Sequence, residues 1–513
     1  MTGSWPNSKN KKLSVVSNKS SNLITLLTAV IIISGCTLGP DFKSPSLPES
    51  ENYFEKPSSE IITTVKPSFG PAQTISLSKD IETQWWRVFK SSRLTNLIEK
   101  ALKKNPDLQS ALSALHRAQE NTIAMQGSLF PALDLVTRST AQKISGAQFG
   151  NPNFPGSTYA VSSGSVQVAY SLDVFGAIKR QIESFEAIEE YQHFQLEGAY
   201  LTITTNVVTT VIQAATLTTQ ISATEAIIKS KERQIDLVNQ QFNLGSVSKS
   251  NILALQSSLE KTRTTLPQLQ QQLAKTHHKL SNLTGDAPNI ILETPFDLEE
   301  IQLPENLPLS LPSKLIKQRP DIRAQESLLH DANAQIGVTT AQLLPDFTIS
   351  ANLGTIATRA ADLFVPGSLI WTVGGNIMQP IFHGGALIHK RRAAIAAYEQ
   401  AATHYKSTVL QALQNVADCL TALEFDAIEL QSQDNALKAA KDDLDLTKNQ
   451  FQLGAINYLS LLNAEQNYQT ALIGQISAKS MRFIDTALLF QALGGGWWKQ
   501  TDLLSDALKT QHQ

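Results

Sequence analysis

The chain writes most of its pattern twice. NPDLQSALSAL (105–115) matches RPDIRAQESLL (319–329) and sets Pro106 against Pro320, an offset of 214 that Pro131 in LFPALDL and Pro345 in LLPDFTI keep. Further along, FNLGSVSKSNILALQ (242–256) matches FQLGAINYLSLLNAE (451–465). Phe242 then stands against Phe451 and Gly245 against Gly454, at an offset of 209. A repeat of this length means one structural unit built twice, so whatever the first copy folds into, the second must fold into as well. The five-residue drift is expected in the loop after Pro131, where AQKISGAQFGNPNFPGSTYAVSSGS outruns TRAADLFVPGS.

Each copy holds two kinds of segment. In the first kind, Ile221, Ile228, Ile235 and Phe242 recur every seven residues, as do Ile252, Leu259, Leu266, Leu273 and Leu280. Leu423, Leu430, Leu437, Leu444 and Phe451 do the same in the second copy. A sustained seven-residue period gives a narrow apolar seam and left-handed coiled-coil packing. Gly245 and Gly454 mark where each long helix ends and the chain turns back, as a glycine cap does. If residues 177–243 form one helix it reaches ~100 Å at ~1.5 Å per residue, far beyond the ~8–20 residues usual in globular domains.

The second kind alternates. In SVQVAYSLDVF (165–175), Val166, Val168, Tyr170, Leu172 and Val174 point one way and Ser165, Gln167, Ala169, Ser171 and Asp173 the other. FTISANL (347–353) and LIWTVGGNI (369–377) behave alike, and ALDLVTR (132–138) does so more weakly. Period-two strands with small polar residues on the second face fit a transmembrane barrel with a wet interior. Alternation alone fits a half-buried soluble sheet too. Four strands cannot close a barrel, which needs at least ~8, and lipid does not tolerate an open edge. If these strands span a membrane, they must be pooled with those of other copies.

The N-terminus is built for export. Lys9, Lys11, Lys12 and Lys19 precede the apolar run LITLLTAVIII (23–33), which Ser34-Gly35-Cys36 follows. Such a run is too short for a ~30 Å hydrocarbon core, and basic flank, short apolar stretch and small residues describe a signal peptide. The cysteine after Ile33-Ser34-Gly35 resembles a bacterial lipobox, which makes Cys36 the acceptor of a covalent lipid and the first residue after cleavage. With Thr37 rather than Asp next, the resemblance implies sorting to the outer membrane. An ordinary signal peptide with an incidental cysteine, and an uncleaved anchor, are the competing readings. The other cysteine, Cys419, lies inside a helical pattern and reads as packing.

The expected division is a signal peptide (1–35), a lipidated Pro- and Ser-rich spacer (36–84), a first repeat (85–285), an irregular connector (286–312) carrying five prolines, a second repeat (313–496) and a tail (497–513). Charge is balanced, 43 basic against 45 acidic residues, so nothing points to nucleic acid. No HExxH, CxxC, GxSxG or phosphate-binding glycine loop occurs. No catalytic residue, cofactor or metal site is expected, apart from the lipid on Cys36. His277-His278 point to different faces of a helix, and Gly494-Gly495-Gly496 lacks the Lys of a phosphate loop and ends the last helix. Lys390-Arg391-Arg392, and Lys179-Arg180 in the first copy, read either as residues that meet lipid headgroups at the periplasmic side of the membrane or as a solvated helix start.

These features, in order, resemble the outer-membrane efflux factor family, in its TolC-like lipoprotein branch. The residues that carry the resemblance are CTLGPDF, WWRVFKSSRLTNLIEKALKKNPDL (85–108), QRPDIRAQESLLHDANAQIGVTTAQLLPDF (318–347), the paired FxLG tips and the terminal ALGGGWW (492–498). The resemblance implies a homotrimer in which each copy gives four strands to a twelve-strand barrel and its helices continue as a periplasmic tunnel. It further implies an exit duct partnered by a periplasmic adaptor and an inner-membrane pump. A lipid-anchored coiled-coil scaffold without a pore is the alternative. By match to the family's pattern, Leu459 supplies an apolar ring and position 463 a polar one at a periplasmic gate. Family members commonly carry Asp there; this chain has Asn463, with Asn251 in the matching region of the first copy. Amides hydrogen-bond across an axis but do not titrate or concentrate cations as carboxylates do.

Overall fold

The computed structural model describes residues 37–46, 53, 73–77, 81–150, 153, 155–289 and 296–499. In chain order these form β1 (Thr74–Leu77), α1 (Ser92–Lys104), α2 (Pro106–Gln126), β2 (Ala132–Ile144), β3 (Ser157–Leu172), α3 (Ala177–Asn243) and α4 (Lys249–Leu283). Then follow β4 (Asn306–Leu309), α5 (Pro312–Gln318), α6 (Pro320–Ala341), β5 (Asp346–Ala357), β6 (Leu369–Met378), α7 (Ala386–Gln452) and α8 (Tyr458–Ala492). The duplication is visible in the lengths: α3 and α7 each run 67 residues, α4 and α8 each 35.

Two compact units are present. One comprises Arg117–Glu189, Ser327–Ala402 and the described part of Met1–Lys43. It holds the antiparallel sheet β2-β3-β5-β6, two strands from each copy. The four strands lie where alternation places them, each longer than or equal to the expected run. One boundary differs. β3 stops at Leu172, because Asp173 leaves the ladder: its carboxylate accepts from the Ile178 and Lys179 N–H groups at 2.9 and 2.8 Å and caps the start of α3. An acidic cap there satisfies orphan amides and suits the helix dipole. The drift in offset falls where the sequence puts it, inside the β2–β3 hairpin. Ala132 pairs with Ala169 in that hairpin and Asp346 with Met378 in the next.

The other unit comprises the described parts of Ser44–His116, Glu190–Glu326 and Thr403–Gln513. Its core gathers Trp85, Trp86, Phe89, Leu94 and Ile98 against Val207, Val211 and Ile212 of α3 and Phe483 and Phe490 of α8. Trp85 stacks on Phe490 with centroids 5.3 Å apart. Each such side chain contributes ~1.5–3 kcal/mol by leaving water. The seven-residue seam is real: of the residues named for it, only Phe242 is exposed, and Ile252, Leu259, Leu280, Leu423, Leu430 and Leu444 are buried. One feature of this unit is absent from the sequence reading. β1, inside the stretch expected as spacer, pairs in parallel with β4, inside the stretch expected as irregular connector. Four-residue strands show no measurable alternation, and Pro308 sits within β4.

The two copies also keep equivalent tertiary contacts. Asn105 donates through Nδ2 to the Leu283 carbonyl at the end of α4 (2.9 Å). At the matching place Arg319 donates through Nη1 to the Ala492 carbonyl at the end of α8 (3.0 Å).

Candidate functional site

The sheet separates its two faces by chemistry. Cross-strand partners Leu135, Val166, Leu353 and Trp371 share one face, and so do Leu133, Val168, Ala351 and Val373. The neighbouring rungs put Asp134, Gln167, Asn352 and Thr372 on the other face, with Arg138 and Ser163 two same-face rungs along. Leu133, Leu135, Trp371 and Val373 are each about 70% exposed. A row of large apolar side chains exposed on a strand face, backed by an amide- and hydroxyl-lined face, is what a barrel wall presents to lipid and to water respectively. β2 and β6 have no partner strand on their outer edges among the described residues. That leaves two rows of backbone groups which lipid cannot satisfy.

Far along the chain, the long helices end in two matching tips. Gly245 and Gly454 adopt left-handed backbone, φ +76° and +73°. Ser246 N–H donates to the Gln241 carbonyl and Gly245 N–H to Phe242; Ala455 to Gln450 and Gly454 to Phe451 repeat the pair, all at 2.9–3.0 Å. This is a Schellman closure at each tip, and both glycines are the hairpin turns expected of them. The return helix α8 is N-capped by Asn457, whose Oδ1 accepts from Ser460 N–H at 3.0 Å. Leu459 and Asn463 lie one turn apart on that helix, both exposed (Leu459 61%). Their neighbours Tyr458, Leu461 and Ala464 instead pack on Leu255 and Leu444. The two gate candidates thus share the face of α8 turned away from its own hairpin core. Asp442, Asp443 and Asp445 are exposed on α7 upstream of the tip.

The structure adds two buried ionisable side chains, Lys231 and Glu465, that the seven-residue runs read from the sequence do not single out. Lys231 of α3 is buried and donates through Nζ to Ser258 Oγ (2.8 Å) and Thr262 Oγ1 (2.9 Å) on α4. Burial holds its pKa down, opposed by the charge of Glu465 on α8. Glu465 accepts from Gln234 Nε2 through Oε1, while its Oε2 is buried without a hydrogen-bond partner; burial pushes this carboxyl up. The signal was available: Leu217, Thr224, Lys231 and Val238 are all buried and stand seven apart, placing Lys231 on the seam.

At the other end of α3 the basic cluster needs a correction. Arg180 does not meet lipid headgroups. It is 4% exposed, pairs with Asp41 (2.8 Å) and Glu183 (2.7 Å), and donates through Nε to the Leu38 carbonyl (3.0 Å). Lys179, Lys390, Arg391 and Arg392 remain exposed. Arg180 therefore straps residues 38–41 down, helped by Phe42 stacking on His330, which contacts Glu183 at 2.9 Å. Cys36, two residues before the strap, lies outside the described residues, as do the signal peptide and the end of the tail. Cys419 is half-buried in α7, and burial pushes its thiol up to about 11. Among the described residues, no group of three or more His, Cys, Asp or Glu side chains is placed to hold a metal ion.

The family model for outer membrane efflux proteins matches residues 97–286 and 311–495, both copies of the repeat. The chain belongs to the outer membrane efflux protein family. It is similar to the toluene efflux pump outer membrane protein TtgC of Pseudomonas putida, 26% identical over 484 residues that cover 94% of this chain and 97% of that one. It is 28% identical to the pyoverdine export outer membrane protein OpmQ of Pseudomonas aeruginosa, over 81% of this chain and 87% of that one. Among solved structures, the outer-membrane channel OprN superposes with a TM-score of 0.79 at 25% identity, over 90% of this chain and all of that one. The CmeC outer membrane channel of Campylobacter jejuni shares the fold at a TM-score of 0.81 and 20% identity, over 93% and 98%. This efflux protein is thus an outer-membrane component of transport.

Proposed function

We propose that this outer membrane efflux protein works as a homotrimeric exit duct. Three four-stranded sheets close one twelve-strand barrel, the long helices continue it into the periplasm, and a periplasmic adaptor joins it to an inner-membrane pump. The observation that carries this reading is the sheet with one apolar face, one polar face and two edges that no strand pairs among the described residues. A pore-less scaffold has no use for such a sheet. Transport through the duct is passive, with energy supplied by the pump. The relatives named for toluene, for pyoverdine and for cations stand at 26%, 28% and 25% identity, so likeness selects no cargo among them. A lipid on Cys36 holds the N-terminus to the same membrane, with the Arg180 strap fixing where the anchored segment starts.

Leu459 and Asn463 form the resting constriction. Both are exposed on α8 beside the tip, and a trimer axis there would bring the equivalent side chains of three copies together. Closure there rests on leucine contact and amide hydrogen bonds, without a carboxylate ring. The test is migration of the outer-membrane fraction on a gel without and with heating, followed by conductance in a planar bilayer. A heat-dissociable trimer with discrete conductance is expected; a monomer without conductance overturns the duct.

A further inference from the structure

Inside one chain the sheet shows a single joint between hairpins, β3 against β5. The duplication dictates what the outer edges, β6 and β2, must meet. Its rule can be read from contacts already present: the first part of the repeat moves by 214 positions and the second by 209. Ala132 opposite Ala169 recurs as Asp346 opposite Met378. Asn105 on the Leu283 carbonyl recurs as Arg319 on the Ala492 carbonyl. Applied to the β3–β5 joint, the rule carries β3 onto β6 and β5 back onto β2. Ser163 opposite Ile356 becomes Thr372 opposite Gln142, and Gln167 opposite Asn352 becomes Asn376 opposite Arg138.

Resting on the trimeric reading above, we infer that β6 of one copy pairs antiparallel with β2 of the next in this register. Thr372 then lies opposite Gln142, Asn376 opposite Arg138, and Ile377 opposite Thr137 of the next copy. The side chains agree with it. A one-residue slip would turn the apolar row of one copy onto the polar face of the next. A slip of two either way keeps the faces but sets Asn376 opposite Val136 or Thr140. Only the repeat-derived register gives the Arg138 guanidinium an amide carbonyl directly across the seam, on the polar face where no lipid competes. Pro380, which lacks an N–H, falls just beyond β6 and limits the ladder at that end.

Cysteine cross-linking of the full-length lipoprotein in a Cys419→Ser background tests the register. Thr372→Cys is combined with Gln142→Cys, or with Thr140→Cys or Ile144→Cys as neighbours two positions away. Directly opposite Cβ atoms lie ~4.5–5.5 Å apart and diagonal ones ~7–8 Å, while a disulfide needs Cβ atoms within about 4.5 Å. Oxidation should give covalent dimers and trimers from 372/142 at roughly tenfold the yield of either neighbour, a discrimination set by that geometry. Gel migration before oxidation reports assembly of each variant. Trimers that cross-link best at 372/140 or 372/144, or at none of the three pairs, overturn the register and leave the duct standing. Absence of any trimer in the unsubstituted protein overturns the duct as well.

Discussion

Gly245 and Gly454, 209 positions apart, hold the same left-handed backbone and close the same pair of hydrogen bonds at the tips of the two hairpins. A Cβ added at either would meet no atom within 4 Å. The requirement is therefore conformational, not steric. Alanine at either position should cost ~1 kcal/mol, the penalty of a left-handed residue with a Cβ, and asparagine should cost less. Native-state hydrogen exchange of the amides of Gln240–Asn243 and Asn449–Gln452 reads this out; equal protection in wild type and Gly454→Ala would refute it.

Gly337 is demanding for the opposite reason. A Cβ there would come within 2.7 Å of Arg180 Cγ and 2.8 Å of the Leu38 carbonyl oxygen. Its backbone is ordinary helix, so the constraint is contact with the strap. Gly337→Ala should lift residues 38–41 off Arg180, at a cost of ~1–3 kcal/mol as overpacking usually does. Limited proteolysis at Lys43 should quicken in Gly337→Ala and not in Gly454→Ala. Identical cleavage rates in both variants would rule the strap out.

Much of this was legible beforehand because two independent periods wrote it. Alternation located all four strands, and the seven-residue period located the buried seams, since Leu423, Leu430 and Leu444 had no other reason to recur. The paired glycines announced the tips. What was missed was short or polar. β1 and β4 are too brief to show a period. Lys231 is buried on a seam position where charge is not expected. Arg180 reads as a solvated basic residue until Asp41, Glu183 and the Leu38 carbonyl converge on it from three places in the chain. Of the gate candidates, Leu459 and Asn463, the pattern gave the helix and the turn; a single chain holds no axis for them to meet at.

In the proposed trimeric constriction, Asn463 has a distinctive expected behaviour. Three amides provide no fixed negative charge, so millimolar magnesium or calcium on the periplasmic side should leave conductance nearly unchanged. Asn463→Asp adds three carboxylates about one axis, which attract divalent cations and repel each other. That variant should show cation block, relieved as pH falls and the carboxylates protonate. Leu459→Ser should raise basal conductance without adding cation sensitivity. Block of the unsubstituted channel that disappears in Asn463→Ala would contradict the amide ring, and would shift attention to Asp442, Asp443 and Asp445.

Glu197 offers a test of stability that is separate from conduction. It lies buried on α3, 4% exposed, and burial alone pushes its carboxyl up to about 7. A folded-state value above the unfolded one means the native state holds this proton more tightly. Stability from this group is therefore greatest in acid and declines as pH rises from the ordinary carboxylate value toward 7, where the buried carboxylate must ionise. Glutamine keeps the size and removes the charge. Glu197→Gln should match the wild type near pH 4 and exceed it at pH 8 by an amount on the order of 2–3 kcal/mol, from the linkage between pKa shift and stability. Thermal melts followed by helical circular dichroism across that range supply the comparison. A pH-independent difference would mean that the folded carboxyl is not shifted by burial, and a variant less stable than the wild type at pH 8 would mean that Glu197 is ionised and paired in the folded protein.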